Sequence, residues 1–106
     1  MIITTTETIP GETIKEILGV AKGQIVRAKH IGSDLGAGLR NIVGGEVKGY
    51  TDMMEKARAE AEKRMIEDAK KMGADAIVGM RYGSSAIMGG ASEMLAYGTA
   101  VILEGE

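Results

Sequence analysis

The segments Asp75-Ala-Ile-Val-Gly-Met-Arg-Tyr82 and Glu93-Met-Leu-Ala-Tyr-Gly-Thr-Ala-Val-Ile-Leu103 decide the fold of this 106-residue chain. Both read as β-strands, and the connection between them contains Gly89-Gly90, so the pair predicts a strand hairpin. A strand with one face in water alternates apolar and polar residues, yet the second segment is largely apolar on both faces. We therefore expect the hairpin to be buried partly against other copies of the protein.

Two further strand regions precede the hairpin in the chain. A short β segment is predicted within residues 1–9, closed by the turn signal Pro10-Gly11. A longer strand is predicted from about Ile14 to His30, and Gly19 and Gly23 within it suggest a bend or a bulge.

The middle of the chain predicts one short and one long helix. The short helix covers Leu35 to Val43, and the long one runs from about Glu46 to Met72, with Gly73 as its left-handed cap. Apolar residues of the long helix recur at intervals of three and four and so form one stripe. They are Val47, Tyr50, Met54, Ala57, Ala61, Met65, Ala69 and Met72. The outer face carries acidic residues four positions before basic ones, namely Asp52 to Lys56, Glu60 to Arg64 and Glu67 to Lys71.

These elements predict an α+β fold in which a small antiparallel sheet packs on one long and one short helix. The length fits a single domain spanning residues 1–106. A single long helix shields only one face of a small sheet, so the doubly apolar strands stay undercovered unless subunits associate. The pattern therefore favours a homo-oligomer.

Composition excludes several classes of function. The formal net charge is −2, which provides no basic surface for nucleic acid and no polybasic membrane anchor. The absence of Cys excludes disulfides and thiolate catalysis, and it suits a reducing cytoplasm. No stretch approaches the ~18 apolar residues of a membrane span, and the N-terminus lacks a signal-peptide pattern. We expect a soluble, unprocessed cytoplasmic protein.

Several local motifs together resemble one known family, the YbjQ-like proteins. They are Gly44-Gly45-Glu46, Tyr50-Thr51, Arg58, Arg64-Met65, Gly73-Ala74-Asp75-Ala76-Ile77-Val78, Arg81, Ser92-Glu93 and Ala96-Tyr97-Gly98-Thr99-Ala100-Val101. The resemblance spans nearly the whole chain. It implies a small α+β fold that forms a ring-shaped homo-oligomer, a pentamer, with a family label of heavy-metal binding and a largely uncharacterised function.

The chain has few of the soft ligands that a heavy-metal site requires. Zinc, cadmium and copper(I) prefer several thiolate or imidazole ligands, whereas this chain has no Cys and only His30. A ring could gather one imidazole from each subunit around its axis, although a lone His more often serves a local hydrogen bond. The eight Met residues are better explained as packing in a core that lacks Phe and Trp. The cofactor is therefore unknown, with a metal ion at His30 as one hypothesis.

Four residues are candidates for binding a small ligand. Glu46 opens the long helix next to a Gly-rich segment that could hold an anion, although Glu46 itself would satisfy the helix dipole. Arg81, Glu93 and Tyr97 are polar exceptions in the apolar hairpin. Taking the hairpin loop to be centred near residues 87 and 88, we predict that Arg81 and Glu93 lie opposite each other. The alternative to ligand recognition is a structural ion pair that fixes the strand register.

No catalytic residue can be assigned, because no nucleophile, base and orienting group converge in the sequence. The function predicted is a homo-oligomeric binding protein for a heavy metal or small ligand at subunit boundaries. Two alternatives stay open. One is an enzyme that acts on a small anionic substrate with Arg81 as electrostatic clamp and Glu93 as base. The other is a purely structural oligomeric module.

Overall fold

The computed structural model describes residues 1–28, 48–87 and 91–105. In chain order these form strand β1 (Ile2–Ile3), strand β2 (Ile14–Ala28), helix α1 (Lys48–Met72), strand β3 (Ala76–Ala86) and strand β4 (Ala91–Leu103). The α+β prediction is confirmed. The predicted short helix at Leu35 to Val43 lies outside the described residues.

The four described strands form one mixed sheet in the order β1-β3-β4-β2. Strand β4 pairs antiparallel with both β2 and β3, whereas β1 pairs parallel with β3. The prediction of a purely antiparallel sheet was therefore wrong at this edge. The chain can run parallel there because the long β2 and α1 segments separate β1 from β3 and return the chain to the same end of the sheet.

Helix α1 packs on one face of the sheet, and its predicted apolar stripe makes the contact. Ala57, Ala61, Met65 and Ala69 are fully or almost fully buried. They meet side chains from three strands, which are Ala21, Ile25, Ile77, Met80, Met94, Ala96 and Ala100. The helix ends at Gly73, whose φ of 85° is the left-handed conformation predicted for the cap.

The helix approaches β2 so closely that one position must lack a side chain. A Cβ atom on Gly23 would overlap the carbonyl oxygen of Ala61 and the amide nitrogen of Met65. Two polar contacts fix the same approach: Asp68 Oδ2 accepts from the Lys22 N–H at 3.0 Å, and Arg64 Nη1 donates to the Gln24 carbonyl at 2.8 Å. Both contacts satisfy backbone groups on the outer edge of β2.

Within residues 1–28, 48–87 and 91–105, the opposite face of the sheet is covered only at one end. There Ala76, Val78 and Val101 are buried under Ile9, Ile14 and Leu103. Farther along, large apolar side chains of this face are exposed: Ile17 by 69%, Val20 by 59%, Val26 by 55% and Tyr97 by 38%. We call the surface formed by these four residues and Leu95 the open face.

The overall shape agrees with an incompletely covered sheet. The Cα radius of gyration is 17.5 Å, and the principal extents are 57 × 25 × 16 Å. A compact domain of this length has a radius of gyration of about 13 Å. The molecule is therefore more extended than a compact domain of this length.

Replacing Gly23 by Ala should destabilise the fold by about 1–3 kcal/mol, because the helix backbone must move away from β2 to admit the methyl group. Gly83→Ala is the matched control, since Gly83 also lies in a strand but has open space where the Cβ would be. Urea unfolding of both variants measures the difference. Equal stability of the two variants would show that the helix does not contact Gly23.

Candidate functional site

Arg81 reaches the open side of the sheet because of a bulge in β3. The register between β3 and β4 shifts between Val78 and Arg81, and Gly79 has a φ of 61°. An extra residue reverses the alternation of side chains along a strand. Met80 therefore points into the core under the helix, and Arg81 lies on the same face as Val78.

The guanidinium of Arg81 is held by backbone carbonyls. Its Nη1 atom donates to the carbonyl oxygen of Thr5 at 2.9 Å and to that of Met80 at 2.8 Å. Neither acceptor carries a formal charge. Within residues 1–28, 48–87 and 91–105 the only ion pair is Glu60 with Arg64, so Arg81 keeps its positive charge unpaired there.

The predicted juxtaposition of Arg81 and Glu93 was wrong. Arg81 lies opposite Tyr97, and Glu93 lies opposite Ser85. The pairing extends to Ala86 and Ser92, so the hairpin is centred nearer residue 89 than residue 87. Glu93 is about 13 Å along β4 from the position that faces Arg81.

Glu93 instead serves a contact between β4 and β2. Its Oε2 atom accepts a hydrogen bond from Nε2 of Gln24. Since Glu93 is remote from Arg81, the two cannot act together as base and clamp on one small substrate within a subunit. The enzyme hypothesis loses the residue pair on which it depended.

The two other candidate residues, His30 and Glu46, lie outside the described residues. Among the residues that the structure describes, no three His, Cys, Asp or Glu side chains are grouped so that they could hold a metal ion. With no Cys in the chain, the donors present do not fit a soft-metal site within one subunit.

A shallow depression of about 370 Å³ lies beside Arg81 on the open side of the sheet. Aliphatic side chains and Gly79 form most of it, and three polar residues complete it. The lining residues are Glu7, Ile14, Ile17, Val78, Gly79, Arg81, Thr99 and Val101. Sequence reasoning missed Glu7 as a member of this group, because only the tertiary path of the N-terminal segment brings residue 7 to β3.

The N-terminal segment is fixed beside β3 by backbone hydrogen bonds. The Gly79 N–H donates to the Thr6 carbonyl at 2.8 Å, and the Met80 N–H donates to the Thr4 carbonyl at 3.0 Å. The Thr4 N–H in turn donates to the Ile77 carbonyl at 3.0 Å. Arg81 and Glu7 are thus positioned by the same short stretch of paired backbone.

A second polar cluster joins the helix to β3 on the other face. The Tyr82 hydroxyl donates to Glu62 Oε1 at 2.5 Å, and the Arg58 guanidinium lies 5.9 Å from the centre of the Tyr82 ring. The hydrogen bond to Glu62, burial and the Glu62 charge raise the pKa of Tyr82, against a smaller opposing effect of Arg58. Tyr82 therefore stays protonated at neutral pH, and we interpret the cluster as a structural link.

The fold and this site define a class of small α+β protein in which a helix covers one sheet face. The other face carries Arg81, which has no ion-pair partner among the described residues, beside a shallow depression. No helix in the described part of the chain is both long and apolar enough to cross a membrane. The chain belongs to the YbjQ family, whose model, described as "Putative heavy-metal-binding", matches residues 1–104.

Similar proteins occur in both bacteria and archaea. A UPF0145 protein of Thermotoga petrophila is 59% identical over 104 residues and covers 98% of each chain. A UPF0145 protein of Archaeoglobus fulgidus is 60% identical over 103 residues, which cover 97% of this chain and 95% of that protein. A crystal structure of a DUF74 protein of unknown function from Pediococcus pentosaceus has a TM-score of 0.65 at 17% identity, covering 98% of both chains. This structural likeness supports the fold alone.

The strand register can be tested with engineered cysteines, because the chain has none of its own. Ser85→Cys with Glu93→Cys should form a disulfide on oxidation, since opposed antiparallel residues have Cα atoms about 4.5–5.5 Å apart. Arg81→Cys with Glu93→Cys is the control pair and should remain reduced. Mass spectrometry after thiol alkylation distinguishes the two states. Efficient oxidation of the control pair would restore the register predicted from the sequence.

Proposed function

We propose that the protein is a ring-shaped homo-oligomer of five subunits that binds a small ligand at the boundary between subunits, beside Arg81 and Tyr97. The subunit number follows from the resemblance to the YbjQ family. The proposal that copies associate rests on the open face.

The open face supports self-association because its exposed apolar residues lie on the same side of neighbouring strands. Val20 lies opposite Thr99, and Ile17 lies opposite Val101, so these side chains project from the same side of neighbouring strands. Tyr97 and Val26 lie farther along the same side, where they face Lys22 and Glu93 respectively, so charged groups border the apolar residues there. Exposed apolar patches of this kind mark interaction sites. In a homo-oligomer every subunit uses the same interface, so the partner that we propose for the open face is a second copy of this chain.

Arg81 supports the proposed ligand site because its positive charge lies beside the apolar open face and its hydrogen bonds go only to uncharged carbonyls among the described residues. A surface guanidinium remains well hydrated, but a partner subunit that covers the neighbouring apolar residues would remove part of that water. The positive charge then favours an anionic group within reach. The adjacent Tyr97 supplies a flat apolar surface with a hydroxyl group.

Val20→Glu should dissociate the oligomer while each subunit stays folded, because Val20 is 59% exposed within the subunit and a buried unpaired charge at an interface is costly. Ala59→Glu, on the exposed side of α1, is the matched control and should leave the assembly intact. Light scattering gives the mass, and circular dichroism checks the fold. A monomeric wild-type protein would contradict the proposed assembly.

The heavy-metal label is tested separately. We expect purified protein titrated with zinc, cadmium or copper(I) to retain less than one metal ion per ring, because one subunit lacks a soft-ligand set. Elemental analysis after removal of free metal measures the content. One ion per ring that disappears in His30→Ala would contradict this expectation and would establish imidazoles gathered around the axis.

A further inference from the structure

We infer that the depression beside Arg81 binds an aliphatic α-amino acid. The inference rests on the proposed function, because the depression is shallow on one subunit and a neighbouring copy would complete its outer wall. It goes further by naming the chemical class of the ligand.

Two opposite charges line the depression without neutralising each other. Arg81 and Glu7 both border it, yet the only ion pair in the described parts of the chain is Glu60 with Arg64. A ligand with a single negative charge would gain from Arg81 and lose from Glu7. A ligand that carries a carboxylate and an ammonium group can satisfy both side chains at once.

The apolar lining defines the rest of the ligand. Val78 and Val101 are buried beneath the depression, and Ile14 and Ile17 border it. All four are branched aliphatic residues, so a branched aliphatic body fits better than an extended polar one. The hydroxyl of Thr99 adds one hydrogen-bonding group.

The size and anchoring of the depression suit a small ligand. About 370 Å³ is near the lower limit for ligand pockets, which suits a small metabolite. The two carbonyl contacts of Nη1 orient Arg81 before a ligand arrives, and no partner among the described residues contacts its Nε or Nη2 atoms, which can donate to a carboxylate. Such preorganisation reduces the entropy cost of binding.

Calorimetric titration with three probes that share the branched side chain of leucine tests the inference. The probes are leucine, isocaproate, which lacks the ammonium group, and isoamylamine, which lacks the carboxylate. Wild-type protein should bind leucine about tenfold or more tightly than either of the others, because each lost charge contact removes one charge-assisted hydrogen bond.

Two variants assign the charges. Arg81→Gln should remove the preference for leucine over isoamylamine, and Glu7→Gln should remove the preference for leucine over isocaproate. Glu12→Gln and Lys15→Gln are controls at exposed positions that do not line the depression, and both should keep the preferences. The comparison of probes on the wild-type protein needs no variant to fold.

The outcomes separate this inference from the proposed assembly. Light scattering on the titrated sample measures the mass of the oligomer, whether or not a ligand binds. An oligomer that binds none of the probes at millimolar concentration, or binds leucine and isocaproate equally, would overturn the amino-acid site and leave the assembly standing. A monomer would overturn the assembly; the amino-acid site would then be overturned as well unless the monomer still bound leucine more tightly than both analogues.

Discussion

The described part of the chain provides one helix for a sheet with two apolar faces, and the rest of the structure depends on that constraint. The helix must lie very close to the sheet, because its buried positions are mostly Ala and the strand beneath it has Ala21 and Gly23. This close contact completes one core. It leaves nothing in those residues to cover Ile17, Val20 and Val26 on the other side. The association between copies that we propose would be driven by the hydrophobic effect rather than by any particular motif.

The role of each charged group depends on which face of this incompletely covered sheet it lies on. Arg64 and Asp68 lie on the helix side and satisfy backbone groups of β2, so their role is structural. Arg81 lies on the other side, where backbone carbonyls hold it. Among the residues that the structure describes, no acidic side chain forms an ion pair with it. The bulge at Gly79 makes this difference, because without the extra residue Arg81 would point toward the helix. A local backbone feature therefore decides on which face of the sheet the charge of Arg81 lies.

The sequence predicted the elements that have strong periodicity. The apolar stripe of α1, its end at Gly73, the long β2 and the hairpin of β3 and β4 all follow from local patterns, because helix and strand periods differ. The register of the hairpin could not be predicted, since both strands are apolar on both faces and alternation gives no preferred alignment. The bulge at Gly79 shifted it further. For the same reason Arg81 was identified as a candidate while its neighbour was assigned incorrectly.

Long-range contacts explain which residues and contacts could not be predicted from the sequence. The parallel pairing of β1 brings Glu7 to the depression across more than seventy residues of chain, and no local pattern marks that approach. Likewise, Arg64 was predicted to belong to a solvated helix face, yet it also contacts the edge of β2. Such contacts depend on how the elements pack, which local propensity does not specify.

The central claim is that another copy of the protein covers the open face. Thiol labelling measures this coverage directly, because a Cys-free chain allows one reporter at a time. Val20→Cys should react with a maleimide much more slowly than Ala59→Cys at concentrations where the oligomer forms, and its rate should rise when dilution separates the subunits. Both positions are exposed on an isolated subunit. Equal labelling rates at every concentration would contradict the claim.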